Sequence, residues 1–372
     1  MMSMRGWLVA FGVLCFPSLA LANTGTPLMW ASALHLVVGN ALIGLIEGLL
    51  LGAMFKCSKR GSVLVLIAAN YVSAWAGAKL LSLATGVVPG LTIETIQFWF
   101  WVFVAVAFVV TLVIEFPFFW YALRPGDGRM RKALVATPVI HGVSYLLLVG
   151  WYWLASGTSM LTQLDVVTAD EMALPDGYAL YYLETDGESV LRIDLADWGS
   201  PESVAHVSAP GLHDRLFVNP RDGGGFDLMV YRDELEEASI EGEPVLADFA
   251  EVAPLESWVD EQGSPMGTWW NFGSVPAIGE ASDWRFFTGC WAWKGIRGEN
   301  LRTGEVVRFG LELPIAEWRV RNATQLPGDY VVAQLGRDQI VAIDVETRRI
   351  SLLARGQGPV VVVPKASGAS AE

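Results

Sequence analysis

Two glutamates stand where a glutamate is expensive. Glu47 and Glu115 each lie inside a long apolar run, and Asn70 and His141 lie inside two more. A carboxylate within a hydrocarbon layer costs several kcal/mol unless it is paired, protonated or wetted, so two of them need a reason. Two carboxylates, an imidazole and a carboxamide form the donor set of a proton relay or of a site for a divalent transition ion, with His and carboxylate as ligands. The same groups, with neutral Glu hydrogen-bonded to Asn, Ser and His, would also serve as interhelical glue. Both readings stay open on the residues alone, which fix neither a metal nor a cofactor.

Spacing makes the set specific. Glu47 precedes Lys56 by nine residues, Asn70 follows Arg60 by ten, Glu115 precedes Arg124 by nine and His141 follows Lys132 by nine. On helices rising ~1.5 Å per residue, this puts all four ~14 Å from the basic charges, in one layer. Ser73 and Ser144 lie three residues beyond Asn70 and His141, on the same helix faces, and complete a candidate intramembrane polar site of Glu47, Asn70, Ser73, Glu115, His141 and Ser144. The segments echo one another: Leu45-Ile46-Glu47 with Val113-Ile114-Glu115, and Asn70-Tyr71-Val72-Ser73 with His141-Gly142-Val143-Ser144. The echo predicts a duplicated helical hairpin related by an axis along the membrane normal. Pro117, two residues after Glu115, is expected to bend its helix; His35 and Lys79, nearer the opposite face, are read as non-catalytic.

The elements that position these residues follow from composition. Of the 372 residues 53% are hydrophobic, and almost all the uninterrupted apolar runs end near Ser156. Four stretches, 28–55, 62–86, 96–123 and 133–156, are each long enough to cross a ~30 Å hydrocarbon core. Aromatic clusters at 98–101, 118–121 and 151–153 mark their ends. Residues 1–22 read as a signal peptide: Arg5, an apolar run from Trp7 to Leu19, then Ala20-Leu21-Ala22 before Asn23, with an uncleaved fifth helix as the alternative. The first connection carries Lys56, Lys59 and Arg60 and the third carries Arg124, Arg129, Arg131 and Lys132, whereas the second has only Glu94. Positive connections stay in the cytoplasm, so the expectation is a multi-pass inner-membrane protein with its C-terminal domain in the periplasm.

The remainder has a different solvent. Residues 1–156 hold nine basic and four acidic residues, and 157–372 hold sixteen basic and thirty-five acidic. So acidic a domain repels nucleic acid, which leaves the lipid bilayer and a periplasmic or envelope protein as the expected partners. After a linker at 157–176, residues 177–372 alternate short β-branched and aromatic runs with turn residues. Hairpins are predicted from 178–184 with 189–195, 329–335 with 339–345, and 285–290 with 298–310. Residues 299–304 resemble 344–348, with Asn300 and Asp344 44 residues apart, a spacing that fits a propeller-like domain, with an irregular sandwich as the alternative.

The expected fold class is therefore a membrane α-helical bundle of four transmembrane helices plus an all-β extracytoplasmic domain. The segment from Asp233 to Asp283 has no Lys or Arg and reads as a solvated acidic insertion, without the ordered oxygen spacing of a calcium loop. Trp291 and Trp293 are placed on one strand face, filling the core. Cys15, Cys57 and Cys290 leave the acidic domain without an internal disulfide. No Gly-x-Ser-x-Gly elbow and no zinc-ligand spacing is present, so the chain reads as a non-enzymatic envelope protein that anchors a binding domain as sensor or scaffold. A small transporter or a proton or metal-ion conduit built on the polar layer is the alternative.

Overall fold

The computed structural model describes residues 25–84, 90–124, 127–212, 214–232, 244–254, 273–279 and 282–365. The signal-peptide reading, His213 and the greater part of the acidic insertion lie outside these residues. Contacts divide the chain into a helical unit, mainly within residues 25–156, and a strand-rich unit, mainly within 157–365.

Among the described residues four helices make up the first unit: α1 (Pro27–Phe55), α2 (Lys59–Ala84), α3 (Ile96–Ala122) and α4 (Arg129–Ala155). Among the described residues α1, α3 and α4 are long and apolar enough to cross a membrane. Their surface is inverted relative to that of a water-soluble bundle. Leu64, Val113 and Leu146 are 71%, 69% and 77% exposed, while Glu47, Asn70, Glu115 and His141 are buried. With no hydrophobic drive between helices in lipid, small residues and polar contacts must do the packing.

The α1–α2 hairpin uses both. Gly44, Gly48 and Gly52 form a stripe four residues apart, and a Cβ at Gly44 or Gly48 would lie 2.5 Å from the Cα of Ile67 or Val63. Only hydrogen on that face lets the two backbones meet. Earlier in α1, a π-turn over His35–Gly39 interrupts the regular ladder, and the Tyr71 hydroxyl donates to the carbonyl of Val37 at 2.5 Å. Lys56, at φ 53°, closes α1 in the left-handed region, and α2 starts three residues later. Prolines are carried within α3 (Pro117) and α4 (Pro138), and each helix is continuous through its proline.

Among the described residues the second unit is built of mainly antiparallel sheets, none closed into a barrel. In the seven-stranded sheet the order is Asp197–His206, Ser189–Asp194, Ala179–Leu183, Gln357–Pro364, Leu246–Val252, Phe226–Tyr231, Arg215–Pro220. A five-stranded sheet runs Asp165–Val166, Arg349–Arg355, Gln339–Asp344, Tyr330–Leu335, Val320–Leu326, its first strand pairing in parallel. Four-stranded and two-stranded sheets are the others among the described residues. One core holds Leu180, Tyr182 and Ile193 of the seven-stranded sheet together with Val332, Ile340 and Ala342 of the five-stranded one. A second fills a different face of the seven-stranded sheet around Tyr181, Leu216, Leu228 and Ala250.

Several expectations change here. Among the described residues the sheets hold seven, five, four and two strands, and a propeller of repeated four-stranded blades is not shown; the strand ending at Asn300 lies in the four-stranded sheet and the one ending at Asp344 in the five-stranded sheet. The run 298–310 contributes two strands rather than one, because the Asn300 side chain accepts from the amides of Arg302 and Thr303 and turns the chain. Residues 157–176 pack within this unit: Ser159–Thr162 is helical, Asp165–Val166 joins a sheet, and Met160, Leu164, Met172 and Leu174 are buried. Trp291 and Trp293 lie half-buried in a turn rather than on a strand. Within the acidic segment, Leu246–Val252 is a strand with Ala250 fully buried.

A buried Glu–His–Glu centre in the helical unit

All six polar residues anticipated from depth come together. Glu47 of α1 accepts three hydrogen-bond contacts. The Asn70 amide donates to Oε2 at 2.7 Å, the Ser144 hydroxyl donates to Oε1 at 2.7 Å, and His141 Nδ1 lies 3.0 Å from Oε1. Glu115 of α3 accepts from the Ser73 hydroxyl at 2.5 Å on Oε1. His141 sits between the two carboxylates, its Nε2 3.5 Å from Glu115 Oε2. Glu47, Glu115 and His141 are exposed by no more than 1%, and one ligand atom from each can be chosen so that all lie within 4.8 Å of one another.

The Ser contacts are reciprocal. Ser73 of the first hairpin reaches Glu115 of the second, and Ser144 of the second reaches Glu47 of the first. Asn70 and His141, at matched positions, both turn toward Glu47. Each carboxylate is thereby tied across the bundle, by a short side chain with few rotamers to lose.

Two atoms stay unsatisfied. Glu115 Oε2 and His141 Nε2 are buried without a hydrogen-bond partner, and they face each other. A separation of 3.5 Å is too long for a good N–H···O bond. It is close to the roughly 3.3 Å between two ligands that each sit ~2.0 Å from a tetrahedrally coordinated ion. With Nδ1 directed at Glu47, His141 has the carboxylate–imidazole arrangement that sets the tautomer of a metal-ligating histidine and leaves Nε2 free to bind.

Three features of the site escaped the sequence reading. The glycine stripe was hidden among apolar residues, although its four-residue repeat is visible once sought. Thr111 and Tyr145, one turn from Glu115 and His141, bond hydroxyl to hydroxyl at 2.8 Å. His35, set aside earlier, bonds Tyr152 through Nδ1 at 2.7 Å.

In the strand-rich unit the charged groups pair as surface clusters. Asp248 contacts Lys365 at 2.5 Å and Arg221 at 4.0 Å, and the Lys365 ammonium holds its carboxyl below the usual range. No protein-family model, curated protein or solved structure matches the chain.

Proposed function

We propose that this is a four-span inner-membrane protein, with its strand-rich domain in the periplasm, whose helical unit binds a divalent transition-metal ion between His141 Nε2 and Glu115 Oε2. The observation that carries the reading is the facing pair of buried, unpartnered atoms, one nitrogen and one carboxylate oxygen, of the ligand types such ions take. Charge supports it as well. A bound dication would balance both carboxylates in their ionised form. A purely cohesive network gains nothing from two unsatisfied atoms, since a polar cluster stabilises only when its members are satisfied. Glu47 then acts as a positioning residue through Nδ1 of His141, with Asn70 and Ser144 fixing Glu47 in turn.

The reciprocal Ser–Glu contacts support the duplicated hairpin, because a two-fold relation between hairpins produces contacts in such pairs. The acidic strand-rich domain keeps the role expected from its composition, a surface for a periplasmic ligand or envelope partner.

The test is metal content. Protein extracted in mild detergent, exposed to Zn2+ or Co2+ and passed through a sizing column should retain about one ion per chain, as a single closed ligand cluster dictates. Glu115→Gln and His141→Asn should each abolish retention, whereas Glu47→Gln, acting through the histidine, should weaken it by roughly 10–100-fold. A monodisperse wild-type protein that holds no ion, or a Glu47→Gln/Glu115→Gln double variant that holds it normally, would sink the proposal.

A further inference from the structure

The two layers that flank the centre differ. One turn toward the basic connections lie Leu51, Leu66, Phe119 and Thr137, each four residues from a member of the polar layer. They are exposed by 0%, 0%, 0% and 2%, and the Thr137 hydroxyl is turned back onto the carbonyl of Ala133 at 2.9 Å. Phe119 stands edge-on to the His141 ring at 5.2 Å. Below it the packing continues through Leu123, Ala133 and Ala136.

One turn the other way lie Ile43, Ala74, Thr111 and Tyr145, all half-buried, and two of them carry the hydroxyl pair. Tyr152 follows on the same face of α4, two turns beyond Tyr145, with its hydroxyl on His35. Polar groups therefore continue from the centre in one direction, and a close-packed apolar layer stops them in the other. An ion shedding its water needs oxygen and nitrogen stand-ins along its route, and an apolar constriction excludes both ion and water.

We infer that the centre communicates only with the end of the bundle opposite the basic connections, past Thr111 and Tyr145, and that the Leu51–Leu66–Phe119 layer is its seal. This rests on the ion-binding reading for what is exchanged; the sidedness itself rests on packing. The bundle in this arrangement is a one-sided receptor for the ion, and passage through it requires Phe119 to move.

Thiol accessibility tests this without reference to the ion. In a background with Cys15, Cys57 and Cys290 replaced by Ala, single Thr111→Cys and Leu66→Cys proteins are exposed, in sealed vesicles of each orientation, to a membrane-impermeant thiosulfonate that reacts with wetted thiolates. Ser58→Cys, in the first basic connection, identifies which side faces out. Thr111→Cys should react at least about tenfold faster from the side on which Ser58→Cys is protected, since a buried, unwetted thiol is inert. Leu66→Cys should react from neither side. Adding Phe119→Ala should let Leu66→Cys react from the basic side, and Phe119→Leu, which keeps most of the volume, should not.

Reaction of Thr111→Cys from the basic side, equal reaction from both, or unprovoked reaction of Leu66→Cys would overturn the inference. Zn2+ retention by the same wild-type protein in detergent is read in parallel. Its absence defeats the ion reading and leaves the labelling pattern to decide sidedness.

Discussion

Ser73 and Ser144 do similar work with unequal backing. Ser73 is the hydrogen-bond donor to Glu115 Oε1, whereas Oε1 of Glu47 receives both Ser144 and His141. Ser73→Ala should therefore destabilise the bundle by about 1–3 kcal/mol, the cost of leaving a buried polar atom unmade, and Ser144→Ala should cost less. Thermal unfolding in detergent, followed by helical circular dichroism, would rank them; equal losses would contradict the asymmetry. Depth and residue type were legible here, because the number of residues from a basic flank sets how far a group lies into the layer. Pairing was not legible: spacing fixes height along a helix, but which neighbour a side chain meets depends on how each helix is rotated and how closely it approaches.

A second residue-scale prediction concerns Tyr182. Buried in the core shared by the two largest sheets, it has its hydroxyl pushed up from 10.0 to about 12, first by burial and then by the charge of Glu184. The folded state thus holds the neutral phenol more firmly than the unfolded chain does. The stability this contributes is complete below pH 10 and is lost progressively as pH rises from 10 toward 12. Alkaline titration of the strand-rich unit should show unfolding together with tyrosinate absorbance in that window. Tyr182→Phe should flatten the pH dependence, and an unchanged profile would assign the transition elsewhere.

At the scale of elements, α1 and α2 show how packing places chemistry. The glycine stripe brings the backbones together one residue from Glu47, which lets the short Asn70 side chain span the gap at 2.7 Å. Gly48→Leu would drive a side chain into Val63, whose Cα lies 2.5 Å from the position of even a first carbon. The expected cost is about 1–3 kcal/mol from overpacking, with loss of ion retention even though no ligand changes. Gly77→Leu, where an added carbon meets nothing within 4 Å, is the control and should leave both intact.

Strand elements were read well where alternation and turn residues agreed. Segments 178–184 and 189–195 pair antiparallel, with Gly187 at φ 74° in the turn, and 329–335 pairs with 339–345 across Gly336 at φ 63°. The buried residues of 157–176, Met160, Leu164, Met172 and Leu174, are spaced four, eight and two apart, so no single period runs through the segment and its sequence resembles a linker.

The whole molecule carries its asymmetry in charge: nine basic to four acidic residues before residue 157, sixteen to thirty-five after it. If the basic connections face the cytoplasm, a reporter active only there should work when fused after Arg60 or Arg131 and fail when fused after Lys365. Cytoplasmic activity of the last fusion would reverse the orientation. The boundary of the strand-rich unit also becomes specific. A fragment starting at Gly157 keeps the pairing of Gly157 with Glu312 and of Asp165 with Arg349, and it should give a β-type circular dichroism spectrum. A fragment starting at 177 loses both, along with Met160, Met172 and Leu174 from the interior, and should be less stable.

The order of synthesis imposes a constraint on this unit. Strand Gln357–Pro364 sits in the middle of the seven-stranded sheet, pairing with Ala179–Leu183 on one side and Leu246–Val252 on the other. It follows every other strand of that sheet along the chain. Until that last strand has been made, the two halves of the sheet have no common partner, and their inner edges stand open to any passing strand. Closure waits on contacts separated by more than 100 residues, the kind that forms slowly. The nascent domain therefore passes through a stage of two unjoined half-sheets, and a chain cut short at Arg355 could never join them.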